Sequence, residues 1–149
     1  MKYALTPEQR IQRDIILEFI KVYPNVFMGN PTNAVLNGEY DEIFETLDTE
    51  AGYTYEDYRQ EAEREFREGG KDTGLDGDWS RHYESREVAK QLSDGGWVGW
   101  TYWYGGGKHG QPAEIDWINY AYELEVEETQ ELVTVRKWTK VEQEENTNG

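Results

Sequence analysis

The apolar residues of this chain change their period once, and that change sets the fold class. Before Gly95-Gly96 they recur mostly every third or fourth position. After it they recur every second position. The first pattern places apolar side chains on one face of a helix, and the second places them on one face of a strand. Trp97 to Tyr104 reads Trp-Val-Gly-Trp-Thr-Tyr-Trp-Tyr, a strand with aromatics on both faces. From Ile118 to Val126 apolar residues alternate with Asn119, Ala121, Glu123 and Glu125, and Glu127 continues the acidic face. Glu128 to Gln130 reads as a turn, and Leu132 to Val141 as the hairpin partner of that strand.

The helical half has its own punctuation. Thr6-Pro7-Glu8-Gln9 offers a cap, a proline suited to the first helical position and a capping-box glutamine. Pro24 ends that helix. Asn30-Pro31-Thr32 starts a second one, lined by Ala34, Val35, Ile43, Phe44 and Leu47, with a break near Gly38. A third runs from Thr54 as cap to Gly69-Gly70 as stop, and a fourth fits Ser80 to Leu92. Helices first and strands after argue an α+β fold. The expected arrangement is N-terminal helices packed on one face of a small C-terminal antiparallel sheet, a three-strand meander. Residues 1–141 read as a single domain, and 142–149 as a flexible acidic tail.

Charge is distributed unevenly over this frame. The formal net charge is −16, and residues 39–68 alone hold twelve acidic and three basic side chains. On the third helix Tyr55, Tyr58, Ala62 and Phe66 share one face, while Asp57, Glu61, Glu65 and Glu68 share another. Asp57, Glu61 and Glu65 are expected to be exposed and unpaired. Glu123, Glu125 and Glu127 form a second acidic row on a strand. A field of this sign repels nucleic acid and anionic membranes and attracts basic protein surfaces. The row reads either as an ordinary solvated face or as a docking ridge.

Other chemistry has weaker support. The chain has no cysteine, which excludes disulfides and thiolate metal sites. The N-terminus carries no apolar run of signal length, and no stretch approaches the roughly twenty apolar residues that cross a bilayer. The expected location is the cytoplasm. Gly105-Gly106-Gly107-Lys108 departs from the phosphate-loop pattern, because Tyr102 and His109 stand where a Gly and a Ser or Thr belong. Asp72 to Asp78 resembles a calcium loop, but Gly74 and Tyr83 occupy two ligand positions. Cofactors and metals are therefore not expected. The Trp- and Tyr-rich strand reads either as core or as a ligand platform. In the second case Trp103, Lys108, His109, Glu114 and Trp117, around the Gly105–Gly110 loop, would form the site of a small enzyme or ligand-binding domain.

In charge and size the chain is similar to the acidic inhibitors that phages and mobile elements direct against restriction and CRISPR enzymes. The leading expectation is thus a non-enzymatic nucleic-acid mimic. Its partner would be the basic surface of a nucleic-acid-binding protein, engaged by Asp57, Glu61, Glu65, Glu68, Glu123, Glu125 and Glu127. Direct nucleic-acid binding is not expected, and the sequence leaves the oligomeric state open.

Overall fold

The N-terminal helix forms where its cap predicts. The structure, a computed structural model, describes residues 4–45, 52 and 54–142. Helix α1 spans Pro7–Val22; Gln9 N donates to Thr6 Oγ1 at 3.2 Å and Thr6 N donates to Gln9 Oε1 at 3.0 Å. These bonds satisfy two donors that a helix start leaves open. Helix α1 buries Ile11, Ile15, Ile16 and Phe19. Helix α2 (Pro31–Leu36) is capped by the Asn30 side chain, and α3 (Tyr40–Ile43) follows the expected break, where Gly38 takes φ +72°. Leu47 lies outside the described residues. Helix α4 (Glu56–Glu68) begins two residues after Thr54; its N-cap is Tyr55, with no side-chain cap bond, and it stops at Gly69.

The sheet has four antiparallel strands in the order β1 (Lys71–Asp72), β2 (Glu84–Gln91), β3 (Trp97–Tyr104) and β4 (Tyr122–Leu124). The fold is α+β, with one strand more than the expected meander. Two further expectations are corrected. Most of the span read as a fourth helix is strand β2. All eight β2 residues pair with β3, from Glu84 opposite Tyr104 to Gln91 opposite Trp97. Helix-prone residues are held extended because β3 offers a long edge, and rings of β3 and α4 lie beneath their charges. Arg86 lies 5.0 Å from the Tyr104 ring centroid and 5.5 Å from that of Tyr102, and Lys90 lies 4.4 Å from that of Phe66. Conversely, the described residues 125–142 form neither helix nor strand and are exposed, so the Leu132–Val141 hairpin partner is not formed.

One sheet face packs on the helices. Val88, Val98 and Trp100 are buried there, and Trp100 meets Phe66 of α4 at 5.2 Å and Trp117 at 5.4 Å. Phe19 of α1 gathers Phe44, Tyr55 and Tyr58 at 4.9–5.3 Å between centroids. Tyr122 and Leu124 cover the opposite face at Gly99, where an added Cβ would lie 2.6 Å from Tyr122 and 2.7 Å from Leu124. Only glycine admits so close an approach.

Helix α1 also clamps the β2–β3 turn. Arg10, 1% exposed at its side chain, bonds both carboxylate oxygens of Asp94 at 2.9 and 3.0 Å, and Arg13 adds a bond at 2.8 Å. Asp14 accepts from Ser93 N at 2.9 Å and from its hydroxyl at 2.6 Å. The Arg10 bonds, aided by Arg13, hold the Asp94 carboxyl well below the usual carboxylate range despite partial burial. Among the described residues no helix is long and apolar enough to cross a membrane.

Candidate functional site

Helix α4 displays one row of carboxylates outward because they recur at helical period opposite its apolar face. Asp57, Glu61, Glu65 and Glu68 are exposed, Tyr58 and Ala62 are half-buried, and Phe66 is buried. Arg59 bonds Glu56 on its own helix and Asp41 of α3. Arg67 is buried against the sheet; it donates to the Trp103 carbonyl and lies 4.4 Å from the centroid of the Tyr102 ring. Trp100 Nε1 donates in return to the Arg67 carbonyl at 3.3 Å. Arg64 alone turns to the ridge, where it pairs with Glu61. Glu61 is therefore not unpaired as expected, although an exposed i,i+3 pair contributes only about 0.2–0.5 kcal/mol. Asp57, Glu65 and Glu68 make no ion pair among the described residues.

Helix α3 extends this surface. Tyr40 donates to Glu63 Oε1 at 2.7 Å, and Asp41 meets Arg59, so α3 is tied to α4. Burial pushes the Glu63 carboxyl up, against the Tyr40 hydrogen bond and the Arg59 charge. Glu63 is thus withdrawn, while Glu39, Asp41, Glu42 and Glu45 stand exposed beside the ridge. From Asp57 to Glu68 the row rises about 16 Å, with i,i+4 carboxylates about 6 Å apart along the axis. Glu65 also borders a groove of about 700 Å³ between α1, α4 and β2, with Ile15, Tyr58 and Phe66 among its lining.

The second acidic row stands on a different element. Glu123 lies in β4 opposite Val98, and Glu125 and Glu127 follow the strand; all three are exposed. The register turns Glu123 to the helix side of the sheet edge, while Tyr122 and Leu124 face the other way.

The ligand-loop residues are not drawn together. Trp117 is 7% exposed and stacks on Phe66 at 5.9 Å, so it belongs to the core. Trp103 is half-buried, and its carbonyl holds Arg67. Lys108, His109 and Glu114 are exposed and share no hydrogen bond among the described residues. A cleft of about 490 Å³ at this end is lined by Trp79, Arg81, His82, Tyr83 and Tyr104, among others, so the histidine there is His82. Asp72 closes a turn on Gly74 N at 2.8 Å.

One polar cluster escaped the sequence pattern. Glu87 is buried, and its Oε1 accepts from Thr101 Oγ1 at 3.0 Å and from the Tyr122 hydroxyl at 2.9 Å. Its Oε2 has no hydrogen-bond partner among the described residues and packs on Gly77, where a Cβ would lie 2.4 Å away. Burial first, and then Glu87, raises the Tyr122 hydroxyl above its ordinary range. The cluster joins β2, β3 and β4. In the sequence Glu87 carries no such signal, because the residues around it favour a helix.

Comparison with protein families, with characterised proteins and with solved structures finds no match for this chain.

Proposed function

We propose that this protein is a non-enzymatic acidic binding protein that occupies the Lys/Arg-lined nucleic-acid groove of a partner, as an inhibitor by mimicry. The observation that carries the reading is the direction of the charges on α3 and α4. Of the three arginines of residues 39–68, Arg67 is buried against the sheet, while Arg59 and Arg64 pair with Asp41, Glu56 and Glu61. Glu39, Glu42, Glu45, Asp57, Glu65 and Glu68 are left exposed with no ion pair among the described residues. A surplus fixed on a rigid helix meets a basic groove without reorganisation, and its field speeds encounter. Restriction and CRISPR enzymes carry grooves of the required chemistry.

Immobilised full-length protein should capture nucleic-acid-binding proteins from a cell lysate at low salt. Duplex DNA or raised salt should release them, because exposed ion pairs weaken over a Debye length of about 8–10 Å. Capture of proteins that neither bind nucleic acid nor yield to DNA would overturn the proposal. So would direct binding of an oligonucleotide in moderate salt.

A further inference from the structure

The described C-terminal segment 125–142 is exposed and unpaired, yet it carries a strand-prone run at 132–141. Leu132, Val133, Val135, Trp138 and Val141 are all exposed, with Val135 at 86% and Trp138 at 85%. Apolar side chains gathered this way on a monomer mark an interaction surface. Leu132 to Val141 also holds Arg136, Lys137 and Lys140 with no acid, a charge of +3 against −19 for the rest of the chain. This arm is a basic strand attached to an acidic body. Directly before it stands β4, the last strand of the sheet, whose outer edge is open among the described residues.

A tight hairpin back onto β4 is disfavoured. The segment Glu128-Thr129-Gln130 contains no Gly, Asn, Asp or Pro of the kind short hairpin turns use. A three-residue turn there puts Glu127 directly opposite Glu131, a like-charge pair. It also places Arg136 opposite Tyr122 and Lys140 opposite Ile118, away from the glutamates.

We propose that the occupant of the β4 edge is the arm of a second copy of this chain. Two segments, 123–141 from each copy, pair antiparallel about a two-fold axis at Leu132. In that register Arg136 faces Glu128, Lys137 faces Glu127, Trp138 faces Val126 and Leu132 faces its own copy. Each of the first three contacts occurs twice, as an isologous interface requires. Opposite charges and apolar pairs directly across strands are favourable. No turn is needed, and residues 125–142 form none. The two sheets join into one, and the open edge of each is closed.

Sedimentation of the full chain over a concentration series should give twice the 17.5 kDa monomer mass. The double variants E127K/E128K and R136E/K137E should each fold, by circular dichroism, and each weaken self-association roughly a hundredfold, since four pairs become like-charged. An equal mixture of the two should restore the dimer, because every altered glutamate then meets an altered cation. Installing a hairpin turn with T129N/Q130G should shift the protein toward monomer. A wild-type chain that stays monomeric at its highest soluble concentration overturns the proposal, as does a dimer that neither double variant weakens or that the mixture fails to restore.

Discussion

The two acidic regions of this molecule carry similar charge and meet different fates. On α3 and α4 the accompanying arginines turn mostly toward neighbouring helices and the sheet, and the carboxylates keep a surplus toward solvent. On β4 and beyond, the cations lie a few residues further along the same strand, at Arg136, Lys137 and Lys140. The first region is an excess left toward solvent, which the proposed function gives to an outside partner. The second is self-complementary between copies. Net charge alone does not separate them; the destination of each Arg and Lys does.

Removing the support common to both regions should have the largest effect. Trp100 is fully buried between α4 and the sheet. Trp100→Ala should cost about 3–5 kcal/mol in urea unfolding, and both partner capture and self-association should fall with it. If either survives in a destabilised variant, that region does not depend on this core.

Next is Asp94, the carboxylate that pairs with buried Arg10. Asp94→Asn leaves the buried Arg10 beside a neutral group and should cost about 3 kcal/mol at neutral pH. The folded Asp94 carboxyl titrates below its unfolded value, so its contribution is complete above about pH 4 and fades as pH falls through the folded value. Acid titration of stability should therefore be shallower in Asp94→Asn than in wild type. Equal slopes would show that the α1 clamp does not set acid stability.

Charge reversal separates the two acidic regions directly. Asp57→Lys, Glu61→Lys and Glu65→Lys together should change stability by no more than about 0.5 kcal/mol per site. They should weaken capture of a basic partner roughly ten- to a hundredfold, with self-association unchanged. Glu127→Lys with Glu128→Lys should do the reverse. Variants that affect both readouts equally would merge the regions into one surface.

The smallest effects belong to the glycine loop. Lys108→Ala and His109→Ala, at exposed side chains, should leave stability within about 0.5 kcal/mol and capture unchanged. Loss of function with a stable fold would restore the ligand-loop reading.

What the sequence revealed was local. Helix α1 was legible from Thr6, Pro7 and Gln9, the break at Gly38 from glycine, and β3 from alternation, because each signal sits within a few residues of the structure it sets. Strand β2 was not legible. Its Glu, Arg, Ala, Lys and Gln favour a helix, and only pairing with β3 and stacking on Tyr102, Tyr104 and Phe66 holds them extended. The Asp94-Gly95 dipeptide in the turn that joins the two strands is itself a hairpin signal. The arm at 132–141 gave the opposite error, since strand propensity without a partner edge does not make a strand. Exposure of the α4 carboxylates followed from helical period. The inward course of Arg59 and Arg67 did not, because Asp41 and the Trp103 carbonyl are brought to them by tertiary packing.

The central claim, that the α3–α4 carboxylates replace phosphates in a partner's groove, is tested most directly by displacement. One captured protein is loaded with a labelled duplex, and release of the duplex is followed by fluorescence anisotropy as this protein is added at several salt concentrations. Wild type should displace the duplex, with a potency that falls steeply as salt rises, and the D57K/E61K/E65K variant should displace little at any salt. Equal displacement by wild type and variant, or potency independent of salt, would contradict the account.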